Sequence, residues 1–276
     1  MSLSKKLVLG ELFETMKFCH KNKISLFVYG KPGIGKSAII AKFAKYLAEQ
    51  ANSETLFEDF RLSLESPESI GGIYVPTEDH TGSLLMKRAI PDRWVPFFQQ
   101  DAQGVILFDE MNSACPTAQT IVYQPLHDRV FAGQKISDST LLIAAGNTHD
   151  SNGMVYQMLA PVANRVMIVE IESTGEAALK DWCEDYAYGA GVHAAIIGYL
   201  HEKPHNLNAH DANSDSDAFP SQRSWAERAS KILHALDNGE ISEKLAWTWM
   251  AGAIGESYAE DLKLYYKIGH ELPALS

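Results

Sequence analysis

The chain has 276 residues, 46% of them hydrophobic, which suits one large or two modest domains with ordinary cores. With 24 Lys and Arg against 35 Asp and Glu, the formal net charge is −11, which disfavours a broad nucleic-acid or anionic-membrane footprint while leaving room for a local basic patch. Cys19, Cys115 and Cys183 are odd in number, far apart and without C-x-x-C spacing, which argues against a disulfide framework or a zinc site and for a reducing interior.

The N-terminus (MSLSKKLVLGELFETMKF) carries acids soon after its lysines, unlike a signal peptide, and no run approaches about 18 apolar residues. The expected location is therefore the cytoplasm. Residues 4–22 place Leu7, Leu12, Met16 and Cys19 near helical spacing and predict a leading helix beside the first strand.

An apolar run at 24–29 (ISLFVY) then enters residues 30–37 (GKPGIGKS), and a helix pattern over 38–49 leaves them. The spacing G-x-x-x-x-G-K-[ST] between a strand and a helix lets successive backbone N–H groups face a di- or triphosphate, with the helix dipole adding positive potential. Gly30, Gly33 and Gly35 permit close approach, Lys36 reaches the β- and γ-phosphates, and the Ser37 hydroxyl holds Mg²⁺; Lys31, Pro32, Ile34 and Ala38 complete the cradle. The alternative, a merely flexible loop, does not explain the flanking strand and helix.

Residues 59–64 (DFRLSL) read as a second strand, and 65–72 (ESPESIGG) as a turn or short helix stopped by glycine. Over 73–94, TEDHTGS between two extendable pieces predicts a protruding hairpin whose return arm carries Lys87, Arg88 and Arg93. It is read equally as a solvated hairpin or as a projection that touches a substrate or partner.

Residues 104–112 (GVILFDEMN) form a continuous apolar run ending in two acids, as expected of a buried parallel strand with carboxylates at its C-terminal edge. Chemistry separates the pair: Asp109 joins the Mg²⁺ shell, and Glu110 orients and deprotonates the attacking water.

Residues 117–126 suggest a helix, and a second small hairpin near 128–137 (RVFAGQKIS from Arg129) turns at Ala132 and Gly133. Another buried strand, 141–146 (LLIAAG), ends at Asn147, which either positions water beside the acid pair or is a turn residue in NTHD. The stretch MVYQMLAPVANRV predicts a short helix ending at Asn164 and Arg165, followed by a strand over 166–171; on composition alone Arg165 is a surface charge.

From Ser173 onward helix patterns dominate (176–187, 192–202, 221–236, 243–254), which divides the chain into an α/β part, 1–172, and a helical part, 173–276. Residues 203–219 gather His205, His210, Asp211, Asp215 and Asp217 without a ligand register, so the run reads as a solvated connection rather than a metal site. In FPSQRSW, Ser221 is a plausible N-cap, and Arg223 falls in a first turn that disfavours a cation unless something anionic compensates.

Taken in order, GKPGIGKS, VILFDEMN, LLIAAGN, ANRV and FPSQRSW resemble the AAA+ ATPases, and within them the MoxR-like and dynein-related branch, over about residues 20–240. TGSLLMKRAIPDRW resembles that branch's projecting hairpin, and RVFAGQKIS its hairpin before the sensor strand. The resemblance implies a P-loop α/β core, with a five-stranded parallel sheet between helices, followed by a small all-helical lid. It assigns Asn147 as the first sensor, Arg165 as an arginine finger reaching the neighbouring subunit's nucleotide, and Arg223 as the second sensor. ATP with Mg²⁺, a homo-oligomeric ring, most simply a hexamer, chaperone-like remodelling and a von Willebrand factor A-domain partner follow from it as expectations. The stretch EMNSA departs from the branch, with Ser113 where MoxR relatives often carry arginine.

Two alternatives stand beside this reading. One is a nucleic-acid translocase or replication factor using Lys87, Arg88, Arg93, Arg129 and Lys135, against the net charge. The other is a non-hydrolysing nucleotide-gated module, against the presence of Glu110 and Asn147. No residue specifies the base, so GTP stays open.

Overall fold

In the computed structural model, the described residues are 5–52, 54–148, 165–210 and 218–271. Five strands, β1 (Leu26–Tyr29), β2 (Leu56–Arg61), β5 (Gly104–Asp109), β8 (Thr140–Gly146) and β9 (Met167–Glu170), pair in parallel in the order β2-β5-β8-β1-β9. Parallel strands covered on both faces need apolar side chains at successive positions. In β5, Val105 and Leu107 pack with α1 (Leu9–Asn22) and α2 (Lys36–Ala51) on one face, through Leu12, Met16, Ile40 and Phe43. Ile106 and Phe108 pack on the other face with Trp94 and with α4 (Pro116–Asp128) through Ala118, Val122 and Leu126. The sequence GVILFD is therefore buried along its whole apolar length, and only its terminal acid reaches the edge.

The first helix starts later than its pattern suggests. Leu7 is extended, its N–H donating to Glu170 O at 2.9 Å and its carbonyl accepting from Glu172 N–H at 2.8 Å, so backbone pairing with the far edge of the sheet replaces the first helical turn. The second strand also lies earlier than the expected 59–64: register with β5 runs from Leu56↔Gly104 to Arg61↔Asp109, and the chain turns off at Leu62.

Beyond β2, α3 (Pro67–Gly71) is capped by Ser66, whose Oγ accepts the Ser69 N–H, and is stopped at Gly72. The projecting hairpin is β3 (Ile73–Glu78) with β4 (Leu84–Ala89), closed by Asp79 accepting N–H groups of Thr81 and Ser83. It is shorter than 73–94, because Pro91 ends the return arm and Asp92–Phe98 winds into a 3₁₀ helix. Arg93 therefore belongs to that helix and not to the hairpin. The small hairpin, β6 (Val130–Phe131) with β7 (Gln134–Lys135), turns at Ala132 and Gly133 as expected, both at positive φ.

The C-terminal region is helical: α5 (Glu176–Trp182, running on through a π turn at Cys183–Ala187), α6 (Ala194–Glu202), α7 (222–237, with a π turn at Trp225–Ala229), α8 (Glu243–Ile254) and α9 (Glu256–Glu271). It has its own apolar cluster, including Trp182, Tyr199, Trp225, Leu233 and Met250. The stretch predicted as a short helix at MVYQMLAPVAN, and Asp211, Asp215 and Asp217, lie outside the described residues. No described helix is long and apolar enough to cross a membrane.

Candidate active site: a cleft between the sheet edge and the C-terminal helices

The glycine-rich segment leaves β1 and enters α2 as the sequence predicts, with Gly33 at φ 76° and Gly35 at φ 88°, conformations open to glycine. Lys36 is only 8% exposed. Its Nζ donates to Gly30 O at 2.8 Å, Lys31 O at 3.1 Å and Asn147 Oδ1 at 3.3 Å. Burial pushes the Lys36 ammonium down to about 8, the Asp109 and Glu110 carboxylates oppose that shift, and Arg223 adds to it.

The acid pair arrives where the parallel register requires. Asp109 ends β5, and its Oδ2 accepts the Ser37 hydroxyl at 2.6 Å, so the two groups assigned to a metal shell already touch. Glu110 sits at φ 54° and ψ 31°, a left-handed conformation that turns it out of the strand direction, and its carboxylate accepts from the Ser63 hydroxyl. Because β8 neighbours β5, Asn147 lies beside these acids.

Arg223 is in the first turn of α7, under the Ser221 cap expected from the sequence, and its N–H donates to Gly33 O at 3.1 Å. Asn208 Nδ2 donates to Pro32 O at 3.1 Å, and Lys31 Nζ reaches His210 O at 3.4 Å. Three hydrogen bonds thus tie the phosphate loop to the helical region. The resulting cleft, about 510 Å³, is lined by Pro32 through Ala38, Asp109, Glu110, Asn147 and Arg223, with Trp182, Asp185 and Tyr186 from α5 and its π turn. That volume falls in the range of sites that enclose a small ligand. Gly30 and Lys31 stand behind Lys36 as carbonyl acceptors.

Arg165 is exposed and does not line this cleft. A second, more open concavity of about 620 Å³ lies between α8 and α9 and holds none of the predicted site residues. Among the described residues no group of three potential metal-ligating side chains gathers, and the 203–210 stretch includes a 3₁₀ turn at Pro204–Leu207.

Sequence reasoning missed Ser63, Asn112 and Asn208, and Arg61 at the end of β2, which also lines the cleft. Ser63 and Asn112 follow strand ends at spacings no motif prescribes, and Asn208 meets the loop only because two distant segments fold together. The cations weighed for nucleic-acid binding, by contrast, are mostly spent within the molecule. Arg93 bonds Glu58, Glu65 (2.6 Å) and Asp59 O (2.7 Å) and lies 4.1 Å over Phe60; Arg129 donates to Ser137 O and Thr140 O; Lys135 pairs with Asp138; Arg88 stacks on Phe131.

Among solved structures, the chain is similar to a RuvB mutant from Thermotoga maritima (14% identity, 96% of this chain and 77% of that one, TM-score 0.52). It is also similar to a candidate ATPase from Cytophaga hutchinsonii (13% identity, 96% and 91%, TM-score 0.41) and to NtrX from Brucella abortus (14%, 96% and 69%, TM-score 0.40). No curated protein matches the chain in sequence. The family model for the AAA domain of the dynein-related subfamily matches residues 25–165, the span that carries the phosphate loop, the acid pair and the Asn147 strand, and the chain belongs to that family of nucleotide-binding ATPases.

Proposed function

We propose that this chain hydrolyses ATP with Mg²⁺ and works as a homo-oligomeric ring, most simply a hexamer, that remodels a protein partner in the manner of MoxR-like ATPases. The observation that carries the hydrolase reading is the meeting of Lys36, the Ser37–Asp109 pair, Glu110 and Asn147 at one sheet edge inside a single cleft. Ser37 and Asp109 would hold Mg²⁺, which supplies charge neutralisation at the phosphate oxygens when bound. Lys36 and Arg223 would add positive charge where the γ-phosphoryl develops negative charge, and Glu110 with Asn147 would aim and deprotonate water.

We divide the chain into a core, 1–172, and a helical lid, 173–276, on the strength of their separate apolar clusters. The exposed β3–β4 hairpin, with Ile73, Tyr74, Leu84 and Met86 on its surface, is the element we assign to partner contact, a von Willebrand factor A-domain protein being the partner class taken from the resemblance. A cytoplasmic setting goes with this reading. Steady-state phosphate release with and without Mg²⁺ tests it; a purified chain that releases none in either condition rejects the hydrolase.

The Lys36 environment makes a separate prediction. A folded-state lysine near 8, against about 10.4 in the unfolded chain, releases its proton early, so this group's burden on stability eases as pH rises from 8 toward 10.4. A bound triphosphate would return that proton. Calorimetric titration of ATP at about pH 9 in two buffers of different ionisation heat is expected to show net proton uptake that Lys36→Met abolishes; equal heats in both buffers would refute it.

The nucleic-acid alternative also yields a measurement. With Arg88, Arg93, Arg129 and Lys135 engaged internally, single- or double-stranded DNA or RNA is expected to leave phosphate release within about twofold of its basal rate at low salt. Strong, salt-sensitive stimulation would reverse the preference.

A further inference from the structure

The 3₁₀ turn after β5, Met111–Ser113, holds a side chain that the proposed reaction leaves without work. Asn112 is 3% exposed. Both ends of its amide are spent on one residue: Nδ2 donates to Asn147 O at 2.6 Å, and Oδ1 accepts Asn147 N–H at 3.0 Å. The last backbone pair between β5 and β8 is Phe108↔Ala144, so beyond it a side chain takes over the ladder and holds both main-chain polar groups of Asn147.

The approach is close. A Cβ at Gly146 would lie 2.5 Å from Asn112 Oδ1, so only glycine fits there. On the near side, Glu110 stands two residues upstream in its left-handed conformation, and Ser113 N–H closes the turn on Glu110 O at 2.9 Å. On the far side, the side chain of Asn147, whose main chain Asn112 holds, accepts from Lys36 Nζ through its Oδ1 at 3.3 Å.

We infer that Asn112 is a positioning residue: its amide locks the main chain of Asn147 to the turn bearing Glu110, so that the base and the water-aiming amide hold one fixed separation. The inference rests on the ATPase reading for its kinetic consequence, because a fixed separation matters to rate only if both groups address the same water. Geometry set this way acts on the chemical step, whereas nucleotide affinity is set by the phosphate loop.

The test is a double-mutant cycle on the full chain. Asn112→Ala is expected to lower kcat about 10²-fold with KM for ATP within about twofold, and Asn112→Ala with Asn147→Ala together to turn over within about twofold of Asn147→Ala alone. A role in stability alone would instead multiply the two losses or lower the unfolding temperature without that pattern. Amide hydrogen exchange gives a second readout: Asn147 N–H is expected to be protected in the wild type and exposed in Asn112→Ala, while β1 amides stay protected.

Multiplicative losses, a change confined to KM, or an Asn147 amide that keeps its protection in the variant would each overturn the inference. Should Asn112→Ala fail to fold, Asn112→Leu, which keeps the side-chain volume and loses both the donor and the acceptor, carries the same comparisons. A wild-type chain with no turnover would sink the hydrolase reading instead, and exchange at Asn147 would then decide whether Asn112 sets that residue at all.

Discussion

Glu110→Gln is expected to bind ATP as the wild type does and to lose about 10²- to 10⁴-fold in kcat, the range contributed by a positioned general base. The groups proposed to bind the phosphates and Mg²⁺, Lys36, Ser37 and Asp109, interact without help from the Glu110 side chain: Ser37 meets Asp109 at 2.6 Å, and Lys36 is held by two loop carbonyls and Asn147. Glutamine keeps the volume of glutamate and an acceptor for the Ser63 hydroxyl, so the turn at Met111–Ser113 has no reason to move. What it lacks is the capacity to take a proton. Equilibrium binding of a fluorescent ATP analogue and phosphate release measured on one preparation separate the two effects, and undiminished release would reject Glu110 as the base.

The contrast with Ser37→Ala is informative. That change removes the hydroxyl from the Asp109 pair and is expected to weaken Mg²⁺-dependent binding itself, leaving the metal-free affinity nearly unchanged. Affinity and rate thus fail in different variants.

The parts of this site that sequence makes legible are those where one local segment does one job. Gly30 to Ser37 can be placed because strand, loop and helix are contiguous, and Asp109 because a covered parallel strand needs an apolar run and leaves its last acid at the edge. Asn147 falls beside the acids as soon as two such strands are taken as neighbours, and the β5–β8 register makes them neighbours. The Ser221 cap, with Arg223 in the turn it opens, follows from capping chemistry.

Legibility ends where a contact joins segments that no short-range rule connects. Ser63 reaches Glu110 only because β2 stops at Arg61, three residues before the expected end; β2 carries Phe57 exposed and Phe60 buried, an edge-strand pattern that blurs both boundaries. Arg93 reads as a hairpin cation because its partners, Glu58 and Glu65, lie 35 and 28 residues earlier. Helix α9 escapes the sequence pattern although Tyr258, Leu262 and Tyr265 recur at helical spacing, because its overall polarity hides a narrow apolar stripe.

Arg165→Ala is expected to lose about 10³-fold or more in rate while binding ATP normally, and to regain activity when mixed with Lys36→Ala. The strand order makes the trans arrangement necessary if Arg165 acts on phosphate at all. Arg165 precedes β9, whose Met167 pairs with Leu26 in parallel, whereas the phosphate loop follows Tyr29 at the other end of β1. Four residues of strand, about 13 Å, therefore separate the two levels, and the side chain is exposed and outside its own cleft. In a ring with head-to-tail interfaces, an Arg165→Ala subunit keeps an intact cleft and a Lys36→Ala subunit keeps an intact finger, so random assembly from equal amounts restores about a quarter of the interfaces. Each variant alone has none. Phosphate release from the mixture rising toward that fraction, with both single variants flat, identifies the neighbour as the donor. A mixture no faster than its parts removes Arg165 from the trans role, and the ring then loses its catalytic necessity.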